Sequence, residues 1–330
     1  MVQIKKIIPV FINHQGCPFQ CVFCNQHTIT GRQEEPLLNL KEYISTELVK
    51  YDKYKIELAF YGGTFTGLPS NLMLKYLEIA NSFSKIQSIR VSTRPDMITQ
   101  AILKILKESN VKTIELGVQS LDDEVLSLSK RGYVSRQVIE SSALIRKNNF
   151  LLGHQLMIGL PGENRKSFEK SVDKMILLKP NMVRIYPTVI FEGTELAQLY
   201  KMGQYKPLTL ERGVEMAAEA VNKIRKNKIE ILRVGLHSVR EENKILGGCY
   251  HPQFRYMVES QIILNRIKKM FAKRFPKKMQ VLLNPKKHNY FLGYKKNNLT
   301  FLKKQGVQKI TILHDETIED ITINGLTLLS

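Results

Sequence analysis

The sequence predicts an α/β fold: an open (β/α)6 partial TIM barrel followed by a smaller, basic α+β subdomain. Three observations carry the prediction. Short β-branched runs alternate with longer amphipathic ones, as the repeated βα units of a parallel sheet do. A length of 330 residues suits one large domain with a smaller companion. The charge also changes along the chain: residues 250–314 carry fifteen Lys and Arg against a single acid, Glu259.

The apolar run at 7–12 predicts the first strand. Residues 38–51 place Leu40, Tyr43, Ile44 and Leu48 at helical spacing, and 55–60 predicts the second strand. Ser70 stands where a cap belongs, opening a helix that ends near Phe83. Strand three is expected at 88–92, a helix at 98–106 and strand four at 112–116. Gln119-Ser120-Leu121-Asp122-Asp123 then leads into helical segments ending near Asn148. Strand five at 152–158 runs into Gly159-Leu160-Pro161-Gly162, a helix at 165–178 and strand six at 182–186. Six such units with right-handed crossovers curl into about three quarters of an eight-fold barrel, with the chemistry at the carboxyl ends of the strands. An irregular passage at 187–207 and a helix at 209–226 follow. A strand-like run at 229–234 offers to extend the sheet. The tail is read as a helix at 254–275 and β-like runs at 280–283, 309–313 and 317–323. The expected domains are 1–235 and 236–330.

A hydrophobic fraction of 43% and a charged fraction of 24% exclude a disordered chain. Four cysteines, three of them between positions 17 and 24, do not form the framework of a secreted disulfide protein, so a reducing, cytoplasmic compartment is expected. Nothing approaches the roughly 18–20 apolar residues of a membrane span. The net charge of +20 suits a polyanionic partner. In the tail, Phe271, Phe275, Tyr290, Phe291 and Tyr294 interleave with lysine pairs, a pattern that fits phosphate contacts and base stacking on structured RNA. The alternative is a solubilising surface over a small aromatic core.

Two motifs carry chemistry. Gly16 to Asn25 reads Gly-Cys-Pro-Phe-Gln-Cys-Val-Phe-Cys-Asn, placing Cys17, Cys21 and Cys24 in a C-x3-C-x2-C loop after the first strand. Three thiolates from one loop hold three corners of a metal site and leave one open, the pattern of a [4Fe–4S] cluster with one iron free of protein ligands. A structural zinc completed by His14, His27 or Cys249 is the alternative. After the second strand comes Tyr61-Gly62-Gly63-Thr64, either a tight turn or a place where a ligand nears the backbone.

Taken together, C-x3-C-x2-C with an aromatic before the last cysteine and Gly-Gly-Thr one βα unit later resemble the radical S-adenosylmethionine superfamily. The stretches Ser92-Thr93-Arg94-Pro95-Asp96, Glu115 to Ser120, Lys130-Arg131-Gly132-Tyr133, Gly153 to Met157 and Arg184 to Thr188 occur in order. They are similar to the radical domain of the Elongator catalytic subunit and its bacterial relatives over roughly residues 8–210, and His237 and Tyr250-His251-Pro252 extend the likeness. The resemblance implies a [4Fe–4S] cluster on Cys17, Cys21 and Cys24, with S-adenosylmethionine at its open iron. It places Phe23 near the adenine and Gly62, Gly63 and Thr64 at the methionine end. Gln119 and Arg131 match residues that contact S-adenosylmethionine in related coproporphyrinogen-oxidase-like enzymes. Gln155 stands where those relatives have an acid that holds the ribose. His154 and Tyr186 read as a satisfied barrel histidine and a packing residue.

The Elongator subunit has a longer first cysteine spacing and an acetyltransferase domain, whereas only a basic segment follows the barrel here. The expected activity is reductive cleavage of S-adenosylmethionine to a 5′-deoxyadenosyl radical that abstracts hydrogen from a substrate. RNA, tRNA or rRNA, is the expected substrate, with a flavodoxin- or ferredoxin-type reductant. The alternatives are the same chemistry on a protein or small metabolite, or an RNA-associated zinc protein with the barrel as scaffold.

Overall fold

In a computed structural model, residues 5–25, 37–236, 239 and 244–328 are described. The expected strands form as β1 (Lys5–Phe11), β2 (Lys55–Tyr61), β3 (Ile86–Thr93), β4 (Val111–Gln119), β5 (Leu151–Ile158) and β6 (Met182–Pro187). The strand-like run is a seventh member, β8 (Glu230–Val234), and the sheet order is β1-β2-β3-β4-β5-β6-β8, parallel throughout. The sheet curls into a half-barrel with helices outside. These are α1 (Leu40–Lys50), α2 (Ser70–Asn81), α3 (Gln100–Glu108), α4 (Asp123–Leu128), α5 (Ser135–Lys147) and α6 (Arg165–Leu177), followed after β6 by α8 (Leu210–Lys226).

The period-two alternation of each strand decides what faces the helices. Ile56, Leu58 and Phe60 of β2, Ile89 and Val91 of β3, and Val183 and Ile185 of β6 belong to one continuous buried core. Each such side chain contributes about 1.5–3 kcal/mol by leaving water. The alternate positions, Glu57, Arg90, Glu115 and Arg184, are polar and point into the half-barrel.

Ser70 does not cap α2. Pro69 occupies the N-cap, no side chain caps the end, and Ser70 is the first helical residue. The passage at 187–207 is more regular than expected. It holds β7 (Val189–Phe191) and α7 (Glu195–Lys201), and β7 pairs antiparallel with β9 (Ile245–Gly248).

In the tail, α9 (Phe254–Met270) joins two cores: Phe254, Val258 and Ile262 pack with the barrel, Ile263 and Ile267 with the C-terminal subdomain. The helix ends at Met270 with Phe271 at its C-cap, short of the expected 275. A four-stranded sheet in the order β11-β10-β12-β13 completes the subdomain, from β10 (Lys278–Leu283), β11 (Lys309–His314), β12 (Thr322–Ile323) and β13 (Leu326–Thr327). The run at 317–323 is strand only at its end, because the Asp315 carboxylate accepts from the Thr317 amide at 2.8 Å and turns the chain. Phe291 is fully buried, and Phe271, Phe275 and Tyr290 pack on the subdomain core. The core reading of the tail aromatics therefore holds for most of them, while Lys268, Lys273, Lys278, Lys286, Lys295 and Lys303 are exposed.

Candidate active site

Beyond β1 the cysteine loop docks on the turn after β2 through main-chain hydrogen bonds. His14 N–H donates to Gly62 O at 3.1 Å, and Thr64 N–H to Gln15 O at 2.9 Å. A Cβ on Gly63 would lie 2.5 Å from Gln15 O and 2.6 Å from Ile12 O, and one on Gly16 would lie 2.2 Å from Thr64 O. Glycine is required because the two segments touch, and the contact brings the Cys17 Sγ within 3.2 Å of Thr64 Oγ1.

A second clamp comes from Arg131, which is buried. Its Nη1 donates to Cys21 Sγ at 2.9 Å, Nη2 to Gly117 O at 2.8 Å and Nε to the Tyr133 hydroxyl at 3.0 Å. Burial works against its charge, yet Tyr133 and Cys21 outweigh it and raise the guanidinium above its ordinary value. Arg94, held by both Asp96 oxygens at 2.9 Å, donates to Arg131 O and lies 4.9 Å from the Phe19 ring centroid. Arg94 and Asp96 belong to the stretch at 92–96, in which nothing marks them as part of the site.

These parts surround one cavity of about 790 Å³. Every residue assigned from the sequence lines it: the three cysteines, Phe23, Gly62 to Thr64, Gln119, Arg131 and Gln155. Gln119 takes a positive φ of 64° at the end of β4, where the register with β5 shifts, and its Oε1 accepts from Gln155 Nε2 at 3.1 Å. His154 lies outside the cavity lining, buried, with Nε2 2.9 Å from Ser142 Oγ. Tyr186 does line it. His27 and His237 lie outside the described residues.

The cavity floor is a charged network that sequence reasoning missed. Glu115 on β4 receives Arg184 Nε at 2.6 Å and Arg90 Nη1 at 2.5 Å, while Arg90 also pairs with Glu57 at 2.8 Å. Glu115 reaches β6 across β5 because Gly153 intervenes, where a Cβ would lie 2.8 Å from Glu115 Cγ. Burial pushes the Glu115 carboxyl up, but the Arg184 and Arg90 guanidiniums prevail and hold it below the ordinary carboxylate range. Burial, then Glu115, keeps the Tyr61 phenol protonated. The available signal was the charge at alternate strand positions, uncommon in a buried parallel strand.

The donor set fits an iron–sulfur group. Cys17, Cys21 and Cys24 are free thiols opening on one cavity, and a guanidinium donates to one sulfur, as the sulfurs of an anionic cluster accept. Burial raises the Cys17 thiol, offset in part by Thr64, so ligation there releases a proton. Among the described residues no three His, Cys, Asp or Glu side chains converge as ligands of a single ion. Cys249 is buried elsewhere, its Sγ donating to Leu208 O and Thr209 O at 3.3 Å.

A parallel half-barrel with a cavity at the carboxyl ends of its strands and thiols at the cavity mouth defines a cofactor-using enzyme of the partial-barrel class. Residues 13–175 match the radical SAM superfamily and residues 180–263 its C-terminal domain, and the chain belongs to that superfamily. Its members generally bind a [4Fe–4S] cluster and S-adenosylmethionine.

A tRNA uridine(34) acetyltransferase of Methanocaldococcus jannaschii is 27% identical over 260 residues, covering 65% of this chain and 48% of the relative. The M. jannaschii protein MJ0486 is 27% identical over 282 residues, covering 81% and 87%. In fold the chain is similar to the archaeal Elp3 of Methanocaldococcus infernus, with a TM-score of 0.64 at 21% identity over 83% of this chain and 65% of that one. The chain thus spans about half the length of the acetyltransferase relative. Among the described residues no helix is long and apolar enough to cross a membrane.

Proposed function

We propose that this chain binds a [4Fe–4S] cluster through Cys17, Cys21 and Cys24, binds S-adenosylmethionine beside it, and abstracts hydrogen from RNA, with tRNA as the substrate class. The observation that carries the reading is the backbone interlock of the cysteine loop with the Gly62-Gly63-Thr64 turn at the mouth of the cavity. When bound, the cluster supplies the electron that cleaves S-adenosylmethionine to the abstracting 5′-deoxyadenosyl radical, a flavodoxin- or ferredoxin-type protein restoring it.

The chain's own groups have separable tasks. Gly62, Gly63 and Thr64 present backbone to the methionine end, and Phe23 offers an apolar wall to the adenine. Arg131 keeps a fixed positive charge on Cys21, and the bonded pair Gln119–Gln155 offers polar atoms to the cofactor. Val189 and Phe191 of β7 add apolar walls to the cavity, which favours exclusion of bulk water from the reacting atoms.

RNA is supported by the exposed lysines of the tail, read here as a domain at 236–330, and by the tRNA named for one relative. A reducing cytoplasmic setting, in which free thiols persist, accords with this reading. Acetyl transfer is not carried over, since the chain covers half of that relative.

Anaerobic reconstitution followed by iron and sulfide counting, with 5′-deoxyadenosine measured after adding S-adenosylmethionine and dithionite, tests the chemistry. Iron binding that survives replacement of all three loop cysteines by alanine would sink it. Nucleoside mass spectrometry of RNA from cells with and without the protein tests the substrate. Affinity for tRNA is expected to fall at least tenfold between about 50 and 200 mM salt; a flat response removes the tail from RNA binding.

A further inference from the structure

Three arginines point into the half-barrel from its strands: Arg90 on β3, Arg184 on β6 and Arg233 on β8. The first two are fully engaged, Arg90 with Glu57 and Glu115, and Arg184 with Glu115 and the Tyr61 hydroxyl at 2.8 Å. Arg233 stands in register with Arg184 on the neighbouring strand and lines the same cavity. Among the described residues no hydrogen bond or ion pair engages it.

That arrangement is costly unless a ligand completes it. A guanidinium does not shed its proton in proteins, so half-burial of Arg233 leaves a desolvated positive charge in place. Burial depresses its pKa; Tyr186 works the other way, and Arg184 and Arg255 depress it further. On the floor the carboxylates of Glu57 and Glu115 are spent on Arg90 and Arg184, and Arg233 is the surplus cation. Beside it the phenol of Tyr186, raised chiefly by burial, stays protonated and offers a donor. A guanidinium with no carboxylate partner, beside a hydroxyl donor, is the complement of an anion with several oxygens.

We infer that Arg233 anchors a phosphate subsite on the cavity floor, where the guanidinium fork takes two oxygens of a substrate phosphate and the Tyr186 hydroxyl donates to a third. The choice of phosphate over carboxylate rests on the RNA reading above, since a fork binds either anion bidentately. It places a nucleotide, rather than a free base or nucleoside, as the unit the cavity admits.

The test is a binding measurement that needs no turnover. Reconstituted full-length protein with S-adenosylmethionine is titrated with uridine 5′-monophosphate, with uridine, and with inorganic phosphate or succinate as competitor. The wild type is expected to prefer the monophosphate by about 10- to 100-fold. Arg233→Gln is expected to lose that preference, Arg233→Lys to keep only part of it, and Lys104→Gln, an exposed charge on the outer helix α3, to leave it unchanged.

Equal affinity of the wild type for uridine and its monophosphate overturns the inference without any variant. So does a preference that survives Arg233→Gln, competition by succinate as strong as by phosphate, or a loss confined to S-adenosylmethionine affinity. Failure of the radical reading is seen separately, as wild-type protein that forms no 5′-deoxyadenosine.

Discussion

The cavity mouth and the cavity floor are built by opposite means. At the mouth, the cysteine loop and the glycine turn are held by main-chain hydrogen bonds and contacts too close for any side chain. At the floor, side-chain ion pairs join β2, β3, β4 and β6. The mouth is therefore intolerant of added atoms and the floor of removed charges. A backbone contact cannot move aside, whereas a long side chain can, but a buried charge stripped of its partner has nowhere to go.

The largest effect separating the two is expected at Gly63→Ala. Its methyl group meets two carbonyl oxygens of the cysteine loop, and a loss above about 4 kcal/mol is expected, read as a collapse of the urea midpoint together with loss of iron after reconstitution. Wild-type iron content in this variant would break the account of the mouth.

Next comes Glu115→Gln, which leaves Arg184 and Arg90 short of a carboxylate and is expected to cost about 3–5 kcal/mol in equilibrium unfolding. Because the folded carboxyl lies below its ordinary range, the stability it contributes is present above that range. It is lost as pH falls through the depressed value, so the variant and the wild type converge in acid.

Glu163, at the turn after β5, sharpens the contrast by pH. Its Oε2 accepts from Gly159 N–H at 2.6 Å, while burial, opposed by that bond and by Leu160 N–H, pushes the carboxyl up to about 8. A raised acid costs stability as pH climbs from the ordinary carboxylate range to about 8, so wild-type stability is expected to decline over that window. Glu163→Gln keeps an acceptor for Gly159 and is expected to flatten the decline, with a higher melting temperature than wild type at pH 8. Parallel pH curves for the two proteins would contradict this.

The smallest effect is expected at Gly153→Ala. Its methyl group meets the Glu115 side chain rather than backbone, so a shift of Glu115 relieves the clash at a cost of about 1–3 kcal/mol. Double-mutant coupling with Glu115→Gln is expected to be strong, and additivity would show that the two do not communicate.

Much of this molecule was legible in the sequence. Ile56, Leu58 and Phe60 alternate with Glu57 and Tyr61, which marked both the strand and its two faces. Cys17, Cys21, Cys24, Gly62 and Gly63, which line the cavity, stood out because their pattern is one of spacing along short stretches of chain. Ser70 misled because the proline before it takes the N-cap and leaves Ser70 as the first helical residue. The regular elements within 187–207 were hidden because β7 is only three residues long and is stabilised by a partner more than fifty positions away, at Ile245–Gly248.

By itself the sequence determined the βα alternation, the apolar rows that face the helices and the motif at the mouth, since each depends on neighbours a few residues apart. Only the tertiary structure decided that Arg131 reaches Cys21 across 110 positions and Arg184 reaches Glu115 across 69. It alone left Arg233 with no counter-charge among the described residues. Those outcomes depend on strand register and on the curl of the sheet, which arise from packing of the whole core and are written at no single position of the chain.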